Sequence, residues 1–340
     1  MTSSRLILTR PQILTFRRRV GALDERLPSR VNSLARAAWA GLQDSMPRAA
    51  LLSIHARVGR ARASSWEAPS LVQLWGPRYN VYVVARRDLA VFSLGRLPDD
   101  ARVRQIAEDL ADRLHALLDG GRMTYREAGL ALGEPHNRLR YAALTGRVVM
   151  RWEGASAPIV WTAPQPELEP REARLELARR YLHVFGPTTS DAFAQWAGIA
   201  AREGAAAFNA LHGSLTPVRT PLGDAWILSR DEPAYRADAR PAAPARLLPS
   251  GDAYFLLQGA DRELLVPDAK HRAALWTPRV WPGAVLVKGE IAGVWRRTRE
   301  RLTISVWEPL SRAAREAVEA EASALPLPDM RGPIVLYWNS

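Results

Sequence analysis

Gln43, Asp44 and Ser45 stand together just ahead of an apolar stretch, Ala49 to Val58. Within it Leu51, Leu52, Ile54 and Val58 fall at helical spacing, which predicts a helix, starting at Pro47, with one buried face. Proline is tolerated in a first helical turn because the amide it lacks has no partner there. If residues 42–45 are extended, Gln43 and Ser45 point the same way and Asp44 points the other. An amide and a hydroxyl are then held side by side at the mouth of a rigid helix. Asp44 is a possible general base, but alternation turns it from Gln43. The plainer reading is a turn plus a helix cap, with Asp44 or Ser45 accepting from the first free amides.

Other chemistries are excluded or poorly served. The 340 residues contain no cysteine, so thiol nucleophiles, disulfides and cysteine–zinc sites are ruled out. The six histidines are scattered, with no ligand-spaced acidic neighbours, so no metal is expected. No phosphate-binding glycine loop of the ATP type is present, and no cofactor is expected. The formal net charge is +12 and the pI about 10.8. Nearly all of the basic residues are arginine, Lys270 and Lys288 being the only lysines. Arginine forks suit phosphates, and this balance fits a polyanion such as nucleic acid; an arginine-rich solvated surface is the alternative. No apolar run reaches the roughly 20 residues of a membrane span, and Met1 to Gln12 lacks a signal-peptide core, so a cytoplasmic protein without membrane contact is expected.

The elements that must position the trio follow in order. Pro11 to Leu23 and Val31 to Ala40 read as short helices. After a loop at Arg60 to Ser65 and a short helix come two strand-like runs, Leu74 to Tyr82 and Ala90 to Leu94, where Val81, Val83, Val84, Val91 and Phe92 favour strands. Helices followed by a hairpin describe a winged helix; a small α+β unit without a DNA role is the alternative. Val103, Ile106, Leu110, Leu114 and Leu117 form a helical stripe. Thr124 and Glu127 then spell a capping box. His136 to Leu144 is a candidate recognition helix, and Val148 to Trp161 a hairpin. About 65 residues on, the pattern returns, with Thr189 and Gly198 at the spacing of Thr124 and Gly133. Asp231 to Pro244 reads as a linker. Beyond it, Ala253 to Leu257, Glu263 to Val266, Val285 to Lys288, Ile291 to Trp295 and Leu302 to Trp307 read as strands. Short strands with Gly and Pro turns suggest a small barrel. A helix, Ser311 to Ala324, and a candidate last strand close the chain.

The order around Gln43 resembles the start of the winged-helix DNA glycosylases typified by AlkZ and YcaQ, where Gln-x-Gln or Gln-x-Asp precedes a Pro-Arg-Ala-Ala-Leu-like helix. Gln43 matches the first Gln; Ser45 stands where the second Gln or Asp belongs. The likeness continues through residues 73–84, 247–257, 261–268 and 285–296, and so covers most of the chain. It implies an α+β protein of tandem winged helix-turn-helix units followed by a C-terminal β-barrel. The units would span 1–98, 99–166 and 167–238, with the barrel and terminal helix in 239–340. It also implies a monomer that binds double-stranded DNA and hydrolyses the N-glycosidic bond of alkylated purines: N7-alkylguanine, bulky adducts or interstrand crosslinks. Gln43 and Ser45 would hold the water, in a monofunctional mechanism. Asp44, His55, Tyr82 (where relatives often have His) and Asp252 would be auxiliary, although a packed or capping histidine is the plainer reading of His55 and a turn-forming Asp252 is equally open. Arg48, Arg78, Arg138, Arg140, Arg262 and Arg296 would contact DNA. Trp75 has a stacking and a core reading. A non-catalytic DNA-binding regulator or lesion sensor on the same scaffold is the second reading; a structural partner protein with incidental charge is the third.

Overall fold

The architecture is that of a computed structural model describing residues 5–46, 48–154, 156–238, 240–328 and 332–339. The chain opens with β1 (Leu6–Ile7), α1 (Arg10–Val20), α2 (Val31–Ala37), β2 (Leu42–Gln43), α3 (Ala49–Arg57), β3 (Leu71–Trp75), β4 (Val81–Ala85) and α4 (Leu89–Ser93). Next come α5 (Ala101–Leu118), β5 (Arg122–Thr124), α6 (Tyr125–Leu132), a 3-10 helix (His136–Thr145), β6 (Val148–Arg151) and β7 (Ile159–Thr162). A third run holds α7 (Pro170–Phe185), α8 (Ser190–Ala197), α9 (Ala201–Leu211), β8 (Leu215–Thr220), β9 (Gly223–Leu228) and α10 (Glu232–Arg236). The last holds β10 (Ala245–Leu248), α11 (Asp261–Leu265), α12 (Ala269–Leu275), β11 (Gly283–Val287), β12 (Glu290–Thr298), β13 (Arg301–Val306), α13 (Arg312–Ser323) and β14 (Val335–Asn339).

These strands form three sheets. A six-stranded sheet, ordered β2-β4-β3-β6-β7-β5, joins the first run to the second through the pairing of Gln73 with Met150. A three-stranded sheet, β1-β8-β9, brings the N-terminal strand parallel to the third run's hairpin. The C-terminal sheet, β10 to β14 in sequence order, stays open, with β10 and β14 as its edges. The expected closed barrel is therefore corrected to an open mixed sheet. The protein is α+β, as expected.

α3 is the hub. All nine of its residues are buried, because it has a neighbour on every side. Ala50, Leu51, Ile54 and Val58 pack with Trp66, Leu71 and Val83. Leu52 enters the core of the C-terminal sheet, and Ala56 joins the largest apolar cluster. A helix enclosed in this way must satisfy its polar side chains internally. Pro47, expected to open the helix, lies outside the described residues; the helical residues begin at Ala49.

Several sequence expectations are corrected. Residues 90–94 are helical: 90–93 lie in α4, which packs on α7, and Leu94 opens the 3-10 turn that follows, so tertiary contact overrides the strand preference of Val91 and Phe92. Residues 253–257 are a buried, irregular apolar run with no strand, a pattern that periodicity alone does not distinguish. Residues 263–266 belong mainly to α11, and the linker at 231–244 contains α10. The 136–144 segment is a 3-10 helix. The repeated caps are as read: Thr124 and Thr189 cap α6 and α8, which end on left-handed Gly133 and Gly198.

Candidate active site

β2 and the start of α3 present the polar trio. Gln43 pairs with Tyr82 across the β2–β4 ladder. Its Nε2 donates to Ser45 Oγ, so the two side chains do lie together. The Tyr82 hydroxyl donates to Gln43 Oε1 at 3.4 Å. That donor orients the amide, with its oxygen toward Tyr82 and its nitrogen toward Ser45. Burial holds the Tyr82 phenol well above its ordinary pKa, so it remains a donor. Tyr82 is itself wedged by two glycines: a Cβ at Gly41 or Gly76 would meet its ring at 2.9 or 2.7 Å.

Gly251 closes the site from the C-terminal part. Its φ is +74°, and a Cβ there would lie 2.9 Å from Gln43 Nε2 and 3.1 Å from its Cδ. The turn carrying Gly251 is anchored by Asp252, which is 1% exposed. Asp252 accepts from Ser53 Oγ at 2.6 Å, from Arg57 Nη1 and Nη2 at 2.7 Å each, and from the Tyr254 amide at 2.9 Å. Asp252 therefore faces α3 as a buried ion pair and braces the backbone behind Gln43, instead of facing a cleft.

Asp44 points away from Gln43 and is 1% exposed. One carboxylate oxygen accepts from the Ala50 amide at 2.9 Å, capping α3 from outside the helix; the other accepts from Gln73 Nε2 at 2.7 Å. Burial raises its pKa to about 6 against the pull of these donors and of Arg48 and Arg151. With both oxygens engaged and no path to the Gln43 face, it is no general base in this geometry. His55 also lies elsewhere. It is 7% exposed at the seam between α3 and the C-terminal sheet, where Arg26 bonds its carbonyl and approaches its ring. Burial first, then Arg26 and Arg246, lowers its pKa to about 4.

The arginines divide into two sets. Arg78 and Tyr79 both have positive φ, at 54° and 58°, a sparsely populated backbone that tends to mark functional sites. Arg78 lies within the electrostatic reach of both Tyr82 and Arg262. Arg262 sits 5.1 Å from the Trp276 ring and 5.3 Å from the Trp281 ring, and donates to the Leu257 carbonyl. Burial, then the charge of Arg78, lowers the Arg262 pKa. Among the described residues neither has a carboxylate within ion-pair distance. Arg140 joins this region by packing 5.0 Å from the Tyr79 ring. The other set is placed differently: Arg48 stacks 4.4 Å over Trp66, Arg138 pairs with Glu134 at 3.4 Å, and Arg296 donates to the Val280 carbonyl. Trp75 is a core residue, packed against Leu110 and Leu114. Gly251, Gln73, Trp276 and Trp281 were missed by sequence reasoning; only the Gly-Asp turn at 251 carried a visible signal. A cavity of about 660 Å³, lined by Arg17, Arg26, Trp39, Arg57 and Tyr254 among others, does not include Gln43 or Ser45 in its wall.

An amide and a hydroxyl are thus bonded to one another and backed by a phenol that stays neutral, with Arg78 in electrostatic reach of that phenol, an arrangement able to hold a polar group or a water. No group of three or more metal-ligating side chains occurs among the described residues, nor does a helix long and apolar enough to cross a membrane.

The family model for AlkZ-like DNA glycosylases matches residues 37–326, and the chain belongs to that family. Its fold is similar to that of the Streptomyces sahachiroi DNA glycosylase AlkZ, with a TM-score of 0.76 and 19% sequence identity over 97% of this chain and 100% of the other. No curated protein matches the sequence.

Proposed function

We propose that this protein is a monofunctional DNA glycosylase that hydrolyses the N-glycosidic bond of N7-alkylated or bulky purine adducts, crosslinks included, in duplex DNA. The observation that carries the reading is the bonded Gln43–Ser45 pair at the mouth of α3, inside the span shared with the family. An N7-alkylated purine leaves readily because it already carries positive charge. The protein then has to place a water on the sugar and stabilise developing charge. Gln43 Oε1 keeps a lone pair for a water hydrogen, and the Ser45 hydroxyl, which accepts from Gln43, keeps its own hydrogen to donate. The cationic base leaves as a neutral purine with the electron pair of the broken C–N bond, and the proton shed by the water passes to solvent, so neither side chain has to keep it. Among the described residues no amine is bonded to the pair, which supports a water-using route over a Schiff base. Three successive helix–hairpin runs support the tandem winged-helix reading, and Arg78, Arg140 and Arg262 supply phosphate contacts.

The test is release of base from duplex carrying N7-methylguanine, read as abasic sites. Wild-type release that is lost in Gln43→Ala supports the assignment; equal release by both overturns it. A second reading, a DNA-binding protein without catalysis, is favoured by one observation: both polar atoms of the Gln43 amide already have protein partners. Duplex binding with no release by wild type would select it.

A further inference from the structure

Asp44 and Gln73 form an oriented chain of hydrogen bonds behind the Gln43–Ser45 pair. The Ala50 amide donates to one oxygen of Asp44, and Gln73 Nε2 donates to the other. Gln73 Oε1 in turn accepts from the Trp152 amide at 2.7 Å. Both side chains are nearly inaccessible, at 1% and 4% exposure. The polarity has one solution. Trp152 N–H is a donor, so the Gln73 amide must present oxygen to it and nitrogen to Asp44. Asp44 must then accept on both sides. The chain starts on the second residue of α3, crosses the central strand β3 and ends just beyond β6.

We propose that Asp44 and Gln73 are positioning residues that hold Gln43 and Ser45 in register, by tying the β2–α3 junction to the hairpin of the second run. Asp44 sits between the two working residues, so any rotation of the 43–45 backbone that separates Gln43 from Ser45 must break its bonds. A buried donor left facing a donor is expensive, and a small displacement of reacting groups lowers rate steeply. This role rests on the glycosylase reading for its catalytic consequence and on the geometry alone for the clamp.

The experiment is a polarity swap. Asp44→Asn puts an NH₂ group against Gln73 Nε2, and the Gln73 amide cannot turn without facing Trp152 N–H with its own nitrogen. D44N is expected to lower single-turnover base release about tenfold or more, with duplex affinity within about twofold of wild type and faster backbone hydrogen exchange across residues 42–50. The double variant D44N/Q73E restores every donor–acceptor match. The new amide at position 44 then donates to the new carboxylate at position 73 and accepts from the Ala50 N–H, while the second carboxylate oxygen accepts from the Trp152 N–H. It is expected to recover release to within about threefold of wild type and to restore slow exchange. D44N at the wild-type rate and exchange overturns the proposal, as does a folded double variant no more active and no better protected than D44N. Should D44N fail to fold, the double variant is compared with wild type directly under the same criteria. If wild-type protein releases no base, the glycosylase reading fails, and exchange across 42–50 alone decides the clamp.

Discussion

Replacing Gly251 with alanine separates the function of the site from the stability of the fold. The added methyl would stand 2.9 Å from Gln43 Nε2 and 3.1 Å from Cδ, where ordinary contact is about 3.5 Å or more. Something must retreat by about 0.5 Å. The turn is the stiffer party, because four donors hold Asp252 next to Gly251. Gln43 ends a flexible side chain, so its amide moves. A misplacement of about 1 Å can lower rate about a hundredfold, so about tenfold is expected here. The left-handed φ adds about 1–2 kcal/mol of destabilisation. The assay is single-turnover base release with urea unfolding alongside. Gly133→Ala is the control, since Gly133 has φ +67° and nothing within 4 Å of a new Cβ: it takes the same backbone penalty and keeps its rate. A Gly251→Ala protein that loses stability while releasing base at the wild-type rate would refute the placement of Gln43 at the chemistry.

Three further outcomes follow from the same geometry. Asp252→Ala leaves Arg57, whose side chain is 4% exposed, charged and unpaired, and should cost about 3–5 kcal/mol in urea unfolding. The second outcome concerns pH, where two buried groups oppose one another. Asp44, raised from 3.8 to about 6, favours the folded state at low pH and loses about 3 kcal/mol of that as pH rises through 6; His55, lowered from 6.5 to about 4, stabilises above 6.5 and loses about as much as pH falls toward 4. Unfolding free energy for D44N relative to wild type should therefore climb by about 3 kcal/mol between pH 4 and 7, and for His55→Gln relative to wild type should fall by a similar amount. The third is salt dependence: Arg78→Ala and Arg262→Ala should each weaken duplex binding and flatten the slope of log K against log salt by about 0.9, whereas Arg138→Ala, already paired with Glu134, should leave the slope unchanged.

What the sequence revealed depended on whether the signal was local. The apolar spacing after Gln43 marks α3, and the Thr-to-Gly spacing marks α6 and α8, because caps and helical faces are set by neighbours a few residues away. The side-by-side placement of Gln43 and Ser45 was also a local reading, and the two do bond, although β2 ends at Gln43 and Ser45 lies in the bend that follows it. Contacts between distant segments were not legible. Nothing near Gln43 announces Gly251, far along the chain, and nothing near Asp252 announces Arg57 as its partner. Residues 90–94 and 253–257 misled for the same reason: their apolar runs are buried by partners that local propensity does not register. The five C-terminal strands were mostly visible, but whether their edges meet depends on twist and packing, which spacing does not encode.

The join between Gln73 and Met150 has an implication for anyone wishing to trim this molecule. Cutting the chain near residue 98 would strip β3 of its neighbour and lay open a strand whose five residues are all buried in the intact protein. Such an unprotected rim recruits other chains. The first hundred residues should accordingly precipitate when produced alone, whereas a fragment carried through β7 keeps that margin covered.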